Sequence, residues 1–273
     1  MSQYNGIPSL NVRLAARLLD RVSVGISAER NGTFQHYTMG LLLKASNHFF
    51  LITCRHTISD ILNKGIDLWI GPNALGKACQ LTESFFFPED ISNDVAIAPL
   101  NNSTVQFFDT SRFASYSDLN HSDQPAGIPC VMRGNLRDLS ERWDRSVSTE
   151  DVRLKPLTFF GRTTTTPCPI AEFDNELHFL ISADNLVATR DTANGRERFV
   201  NRSSYRGMSG SPVFAVDGDP FQTNWKPVDT KIIGIQSSFF TLERGPDSYS
   251  FMKVCRIEKV WSVVKAVFPN VLK

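Results

Sequence analysis

Short runs rich in Val, Ile, Phe and Thr recur along this chain, and Gly, Pro, Asn or Asp bounds most of them. No other feature constrains the fold as much. The runs are RVSVGIS, HYTMGLLLKAS, HFFLITC, IDLWIG, CQLTESFFF, DVAIAPL, GIPCVMRG, KPLTFFGRTTTT, LHFLIS, SPVFAV and KIIGIQSSFF. Most have strand length. Asn31-Gly32 marks a hairpin after the first, and Asn47 a turn before the third. Many short strands at fairly even spacing predict a sandwich or a barrel. At the C-terminus the period changes. Ile257, Val260, Trp261, Val264, Val267 and Phe268 recur at helical spacing with Glu258, Lys259 and Lys265 between them, and Pro269 ends the run. An amphipathic helix facing a core is expected there.

The chain's 273 residues, 41% of them apolar, suffice for one large all-β unit or two small domains. A net charge of +1 argues against binding nucleic acid or a membrane surface, which takes a basic excess. The first 21 residues lack the apolar core of a signal peptide and read as a short amphipathic segment with Arg13, Arg17, Asp20 and Arg21 among leucines. No apolar run is long enough to span a bilayer. A soluble, cytoplasmic protein is expected. Cys54, Cys79, Cys130, Cys168 and Cys255 are widely spaced and odd in number, which predicts free, mostly buried thiols and no zinc site. The most polar stretch, residues 135–155, reads as a surface excursion joining two halves and as the best surface for a partner. Thr163 to Thr166 need no special role.

RGMSGSP, at 206–212, has the parts of a nucleophile's loop. A serine hydroxyl is a weak nucleophile at neutral pH. It needs a base, a group to orient the base and donors for the oxyanion. Ser209 is the candidate nucleophile. Gly207, without a Cβ, can set its N–H beside that of Ser209, and Gly210 lets the chain turn. Ser211 lies on the far side, towards the next strand. Among the histidines, His36 and His48 look like surface residues, His121 lies in a loop, and His178 alternates with apolar residues as an ordinary strand residue does. His56 falls just past an apolar strand end, where a helical turn can start and an imidazole can face a cleft. Asp94 opens the alternating run VAIAPL and is the best-placed partner for His56 Nδ1–H. As a bland alternative, each of these residues is simply a turn or strand residue.

Jointly, LITCRHTISD, NDVAIAPL and GMSGSP place His, Asp and Ser in that chain order. The sequence thereby resembles the trypsin-like (chymotrypsin-fold) serine peptidases of the bacterial, disulfide-free type. These segments look like the family's T-A-x-H, D-x-A and G-x-S-G-G/S-P segments, with Cys54 where alanine is usual. IIGIQSS, at 232–238, resembles the strand that follows the nucleophile. The resemblance runs from about residue 22 to 268. It implies an all-β fold of two antiparallel six-stranded β-barrels with a C-terminal α-helix, the first barrel over about 22–130, the second over about 131–255 and the helix over 256–268. It also implies endopeptidase chemistry through His56, Asp94 and Ser209, with the N–H groups of Gly207 and Ser209 as the oxyanion hole and with neither metal nor cofactor. Ser203 and Ser204 would form one wall of the primary pocket, and Ser237 and Phe239 the other. No acidic residue stands at the pocket base, so strict cleavage after Lys or Arg is not expected. A small or apolar guest is.

Met208 stands where zymogen-activated relatives carry aspartate, and no internal I-V-G-G-like start exists to pair with one. Control by an effector or regulatory partner is expected instead of N-terminal cleavage, with a protein or peptide as substrate and limited regulatory proteolysis as the task. Three rival readings stay open: a catalytically silent pseudoprotease serving as a binding or scaffold module, a plain β protein, and an esterase using the same three residues.

Overall fold

The structure is a computed structural model. It describes residues 7–271 apart from 31–32, 91, 121, 123–125, 139–142, 145–153, 155, 166–172, 185, 193–194, 200–204, 228 and 245–246. Helix α1 (Ser9–Asp20) leads into the antiparallel strands β1 (Ser23–Arg30), β2 (Thr33–Ala45) and β3 (His48–Thr53). The β1–β2 register pairs Arg30 with Thr33, as a two-residue hairpin connection requires, although Asn31 and Gly32 lie outside the described residues. Helix α2 (Arg55–Leu62) follows, then β4 (Asp67–Gly71), β5 (Cys79–Leu81) and β6 (Ala96–Pro99). The sheet order is β5-β4-β1-β2-β3-β6. Phe86, just past β5, bridges Ile97 of β6 through two backbone hydrogen bonds, drawing this half-barrel towards closure.

Helix α3 (Asn102–Phe108) and the short β7 (Ala114–Ser115) lead to the second sheet. Its strands are β8 (Pro129–Gly134), β10 (Leu157–Thr164), β11 (His178–Ser182), β14 (Pro212–Ala215), β15 (Lys231–Arg244) and β16 (Asp247–Arg256). They close into an antiparallel barrel, β8-β10-β11-β16-β15-β14 and back to β8. Strand β9 (Trp143–Asp144) pairs instead with the start of β2, while β12 (Val187–Thr192) and β13 (Gly195–Phe199) form a hairpin beyond the barrel on β10. Helix α4 (Ile257–Val267) ends the fold. This is the chymotrypsin-like two-barrel architecture, its second barrel closed and its first a half-barrel.

Strand side chains alternate between faces, and here both faces find a core. On β2, Leu42 points into the first barrel while Leu41 and Leu43 join a core shared with both helices. On β3, Leu51 divides in the same way from Phe50 and Ile52. In the second sheet, Met132 and Val213 fill the barrel, whereas Val131 and Phe214 face the shared core. That is why these runs read as continuously apolar rather than alternating. The helices cap the shared core with Val12, Ala15 and Leu19 from α1 and Ile257, Val260, Trp261 and Val264 from α4. Their spacing is that of a helical stripe. Burying each of the Val, Leu and Ile side chains among these stabilises the fold by roughly 1.5–3 kcal/mol.

Among the described residues no helix is long and apolar enough to cross a membrane. Cys54, Cys130 and Cys255 are buried free thiols and Cys79 is half-buried, whereas Cys168 lies outside the described residues. One reading of the polar stretch needs correction. Its first residues, Asn135 and Leu136, are buried, not a surface excursion. They follow directly from β8 and pack beneath the 205–210 loop.

Candidate active site

Strand β3 ends at Thr53. Cys54 keeps an extended backbone (φ −86°, ψ 139°), and α2 starts at Arg55. His56 therefore sits in the first turn of a helix, where backbone N–H groups have no partner within the helix. Asp94, just ahead of β6, fills that gap. Its Oδ1 accepts from the His56 N–H at 2.9 Å, and its Oδ2 accepts from His56 Nδ1–H at 2.7 Å. One carboxylate thus caps α2 and orients the imidazole. A carboxylate that only accepts puts the proton on Nδ1, which leaves Nε2 with a free lone pair. The Asp94 side chain is 15% exposed and that of His56 51%. Burial lowers the pKa of His56, but the hydrogen bond and charge of Asp94, with the charge of Asp60, outweigh it and hold it above 6.5.

The 205–210 loop is fixed almost carbonyl by carbonyl. Arg206 O accepts from Arg137 N at 2.8 Å, and Gly207 O meets His36 Nε2 at 2.9 Å. Met208 O accepts from Ser211 N at 3.0 Å. Ser209 O accepts from Met39 N at 2.7 Å and from the Thr38 hydroxyl at 2.5 Å. Gly210 N donates to Gln236 O of β15 at 2.7 Å. Gly207 and Gly210 have φ of +95° and +82°, backbone that L side chains rarely adopt. The N–H groups of Gly207 and Ser209 have no acceptor among the described residues. Two backbone donors two residues apart, free in a tight turn, are the equipment of an anion site.

Thr38 also ties this loop to the histidine's strand end. Its hydroxyl lies 3.3 Å from Cys54 Sγ, which in turn donates to Thr57 Oγ1 at 3.3 Å. The cysteine in place of alanine so links β2 to α2 beside His56. Burial, and then the charge of Asp94, push its thiol pKa up to about 11, which makes it a neutral packing group. Among the described residues no hydrogen bond joins His56 Nε2 to Ser209 Oγ.

The remaining expectations fall out as follows. His36 is not a surface residue. It is fully buried on β2 and reaches across the barrel joint to Gly207. Its run, TFQHYTMG, alternates, and the position falls on the inward face set by Phe34 and Thr38. That alternation is the signal that could have located it. His48 is exposed, His178 is a buried strand residue whose Nε2 meets Ser92 O at 3.1 Å, and His121 lies outside the described residues. Ser203 and Ser204 also lie outside them. Ser237 is buried at a β-bulge of β15, between Gln236 and Ser238. Phe239 packs on Tyr205, ring centroids 4.9 Å apart. Met208 is buried in the core of the second barrel. Strand β16, which faces the cleft, was not read from the sequence at all, because its DSYS start is polar.

No family model and no curated protein matches the chain. Among solved structures it is similar to the human heparin binding protein, with 15% identity, 92% of each chain covered and a TM-score of 0.48. It is similar also to a structure from work on aromatic interactions in the coupled folding and binding of the intrinsically disordered Sesbania mosaic virus VPg protein, with 12% identity, 88% of each chain covered and a TM-score of 0.46.

Proposed function

We propose that the protein is a serine endopeptidase acting on protein or peptide substrates, with limited regulatory proteolysis in the cytoplasm as its task. The reading is carried by the His56–Asp94 pair, in which a carboxylate accepts from Nδ1–H at 2.7 Å and leaves Nε2 free to act as a base. In the proposed reaction Ser209 Oγ bonds to the scissile carbonyl carbon as His56 Nε2 takes its proton. The N–H groups of Gly207 and Ser209 hold the oxyanion. Collapse of the tetrahedral intermediate breaks the C–N bond, and His56 returns the proton to the leaving amine. Water, deprotonated in the same way, then releases the acyl group as a carboxylic acid and restores Ser209.

A fluorophosphonate probe tests this reading. Wild-type protein should be labelled, and Ser209→Ala should not. Labelling that persists in Ser209→Ala, with no peptide cleaved, counts against it. One observation favours a second reading. With no His56 Nε2–Ser209 Oγ bond among the described residues, a silent binding module is the alternative. Hydrogen bonds between catalytic groups often tighten only when substrate binds. Labelling that appears only in the presence of a peptide or partner would separate a gated enzyme from a silent scaffold.

A further inference from the structure

Residues 205–208 form one tight turn. Met208 N–H donates to Tyr205 O at 3.1 Å, the bond between first and fourth residues that closes a β-turn. Gly207, the third residue, has a φ of +95°, whereas Arg206, the second, does not have a positive φ. That combination is a type II turn. A type I turn has the same ends and differs in turning over the middle peptide, here Arg206–Gly207. The C=O and N–H of a trans peptide point in opposite directions. In the type II form the Arg206 carbonyl therefore faces Arg137, and the Gly207 N–H points the other way. In the type I form the carbonyl would stand where the N–H was, and an oxyanion there would meet an oxygen instead of a donor. Glycine adopts both signs of φ readily, so Gly207 does not itself hold the turn in either form.

The hold comes from outside the turn. Arg137 N–H donates to Arg206 O at 2.8 Å, a bond that the type II form makes and a turned-over peptide loses. A Cβ at Gly207 would collide with Asn135 O and Arg137 N, so this segment lies directly against the turn. Arg137 is anchored in its turn by its side chain. Its Nη2 donates to Gln35 Oε1 at 3.1 Å, and its guanidinium lies over the Tyr37 ring, 4.3 Å from the centroid. Gln35 and Tyr37 are two residues apart on β2 and so share a face. His36, between them, leaves by the opposite face and meets Gly207 O at 2.9 Å. Three consecutive residues of the first barrel thus reach this turn of the second, two through Arg137 and one directly.

We infer that Arg137 is a positioning residue of the oxyanion hole: pinned on Gln35 and Tyr37, it holds the 205–208 turn in the type II form and so aims the Gly207 N–H at the oxyanion. The inference rests on the peptidase reading for its reaction. The form of the turn can be observed without that reaction.

Kinetics and NMR test this together. On a peptide that the wild type cleaves, Arg137→Ala should lower kcat about tenfold, the scale of one hydrogen bond and one cation–π contact combined. KM should change by less than about twofold, because the oxyanion exists only after attack. Arg137→Lys, which can still donate to Gln35 and lie over Tyr37, should recover most of the loss. Gln35→Ala should lower kcat by itself and add nothing to Arg137→Ala, since both release the same side chain. In isotope-labelled protein the Arg206 carbonyl and Gly207 amide resonances should shift in Arg137→Ala and return in Arg137→Lys. A kcat untouched by Arg137→Ala, a Gln35→Ala loss that adds in full to it, or unmoved resonances overturns the inference. If the wild type neither cuts peptide nor takes up fluorophosphonate while the resonances move and return, the hold of Arg137 on the turn stands and the peptidase reading falls.

Discussion

His36 is buried with one ring nitrogen against Gly207 O and with no hydrogen-bond partner for Nδ1 among the described residues. Burial first, opposed by the backbone carbonyls of Gly207 and Asn135, lowers its pKa from 6.5 to about 4. The neutral ring is therefore the one that holds the loop. The sign for stability follows. Between pH 6.5 and about 4 the unfolded chain binds a proton that the folded chain refuses, so stability is complete above 6.5 and falls as the pH drops. The full effect is on the order of 3 kcal/mol. Denaturant titrations of wild type and His36→Gln across this window should show the slope in the first and a shallower slope in the second. A glutamine amide can still donate to Gly207 O, so the loop should keep its place and fluorophosphonate labelling should survive at neutral pH. Equal slopes in the two proteins would remove His36 as the cause.

At the scale of elements, α2 and β6 depend on each other through Asp94. The helix N-terminus needs an acceptor, and the imidazole needs a partner that holds Nδ1–H. Asp94→Asn leaves only one oxygen to do both. Its amide NH₂ would face His56 and favour the tautomer with the proton on Nε2. By analogy with the serine-protease template, kcat should fall by about 10⁴, with a separate loss of about 1 kcal/mol from the weakened helix start. Because Asp94 helps to raise the His56 pKa, an NMR titration of the imidazole in a Ser209→Ala background should move to lower pH in the Asn variant. The proposed reaction needs neutral His56, so its acid limb in the wild type should lie above pH 6.5. An unmoved titration would mean that Asp94 does not set the charge of His56.

At the scale of the whole molecule, the barrels meet where Ser209 and Gly210 lie against the middle of β2, at Thr38 and Met39, and the end of β3, at Thr53. A Cβ at Gly210 would collide with Met39 O and Thr53 Oγ1, at a φ of +82°. Gly218 also has a positive φ, +71°, but among the described residues a Cβ there would meet only Trp225 Cδ1, at 3.5 Å. Gly210→Ala combines backbone strain with overpacking and should cost about 3 kcal/mol or more. Gly218→Ala should cost roughly 1–2 kcal/mol, from backbone strain alone. Denaturation midpoints of the two variants compare the joint with an ordinary turn. Equal losses would deny the joint its special status.

Local chemistry made much of this legible before any coordinates. Apolar runs bounded by turn residues marked most of the strands, helical spacing marked α4, and the types and order of His56, Asp94 and Ser209 suggested the site. Those signals are written in consecutive residues. The sequence by itself determined most of the strands, the C-terminal helix and which residues carry reactive groups. Only the tertiary structure decided that Asp94 caps α2 while it orients His56, that buried His36 ties the 205–210 loop to β2, and that Ser238 and Lys253 stand side by side on β15 and β16. Each of these joins residues distant in the chain, so partner, burial and charge exist only after the barrels have closed. A lone histidine or lysine in a strand carries no mark of what the neighbouring strand will set against it.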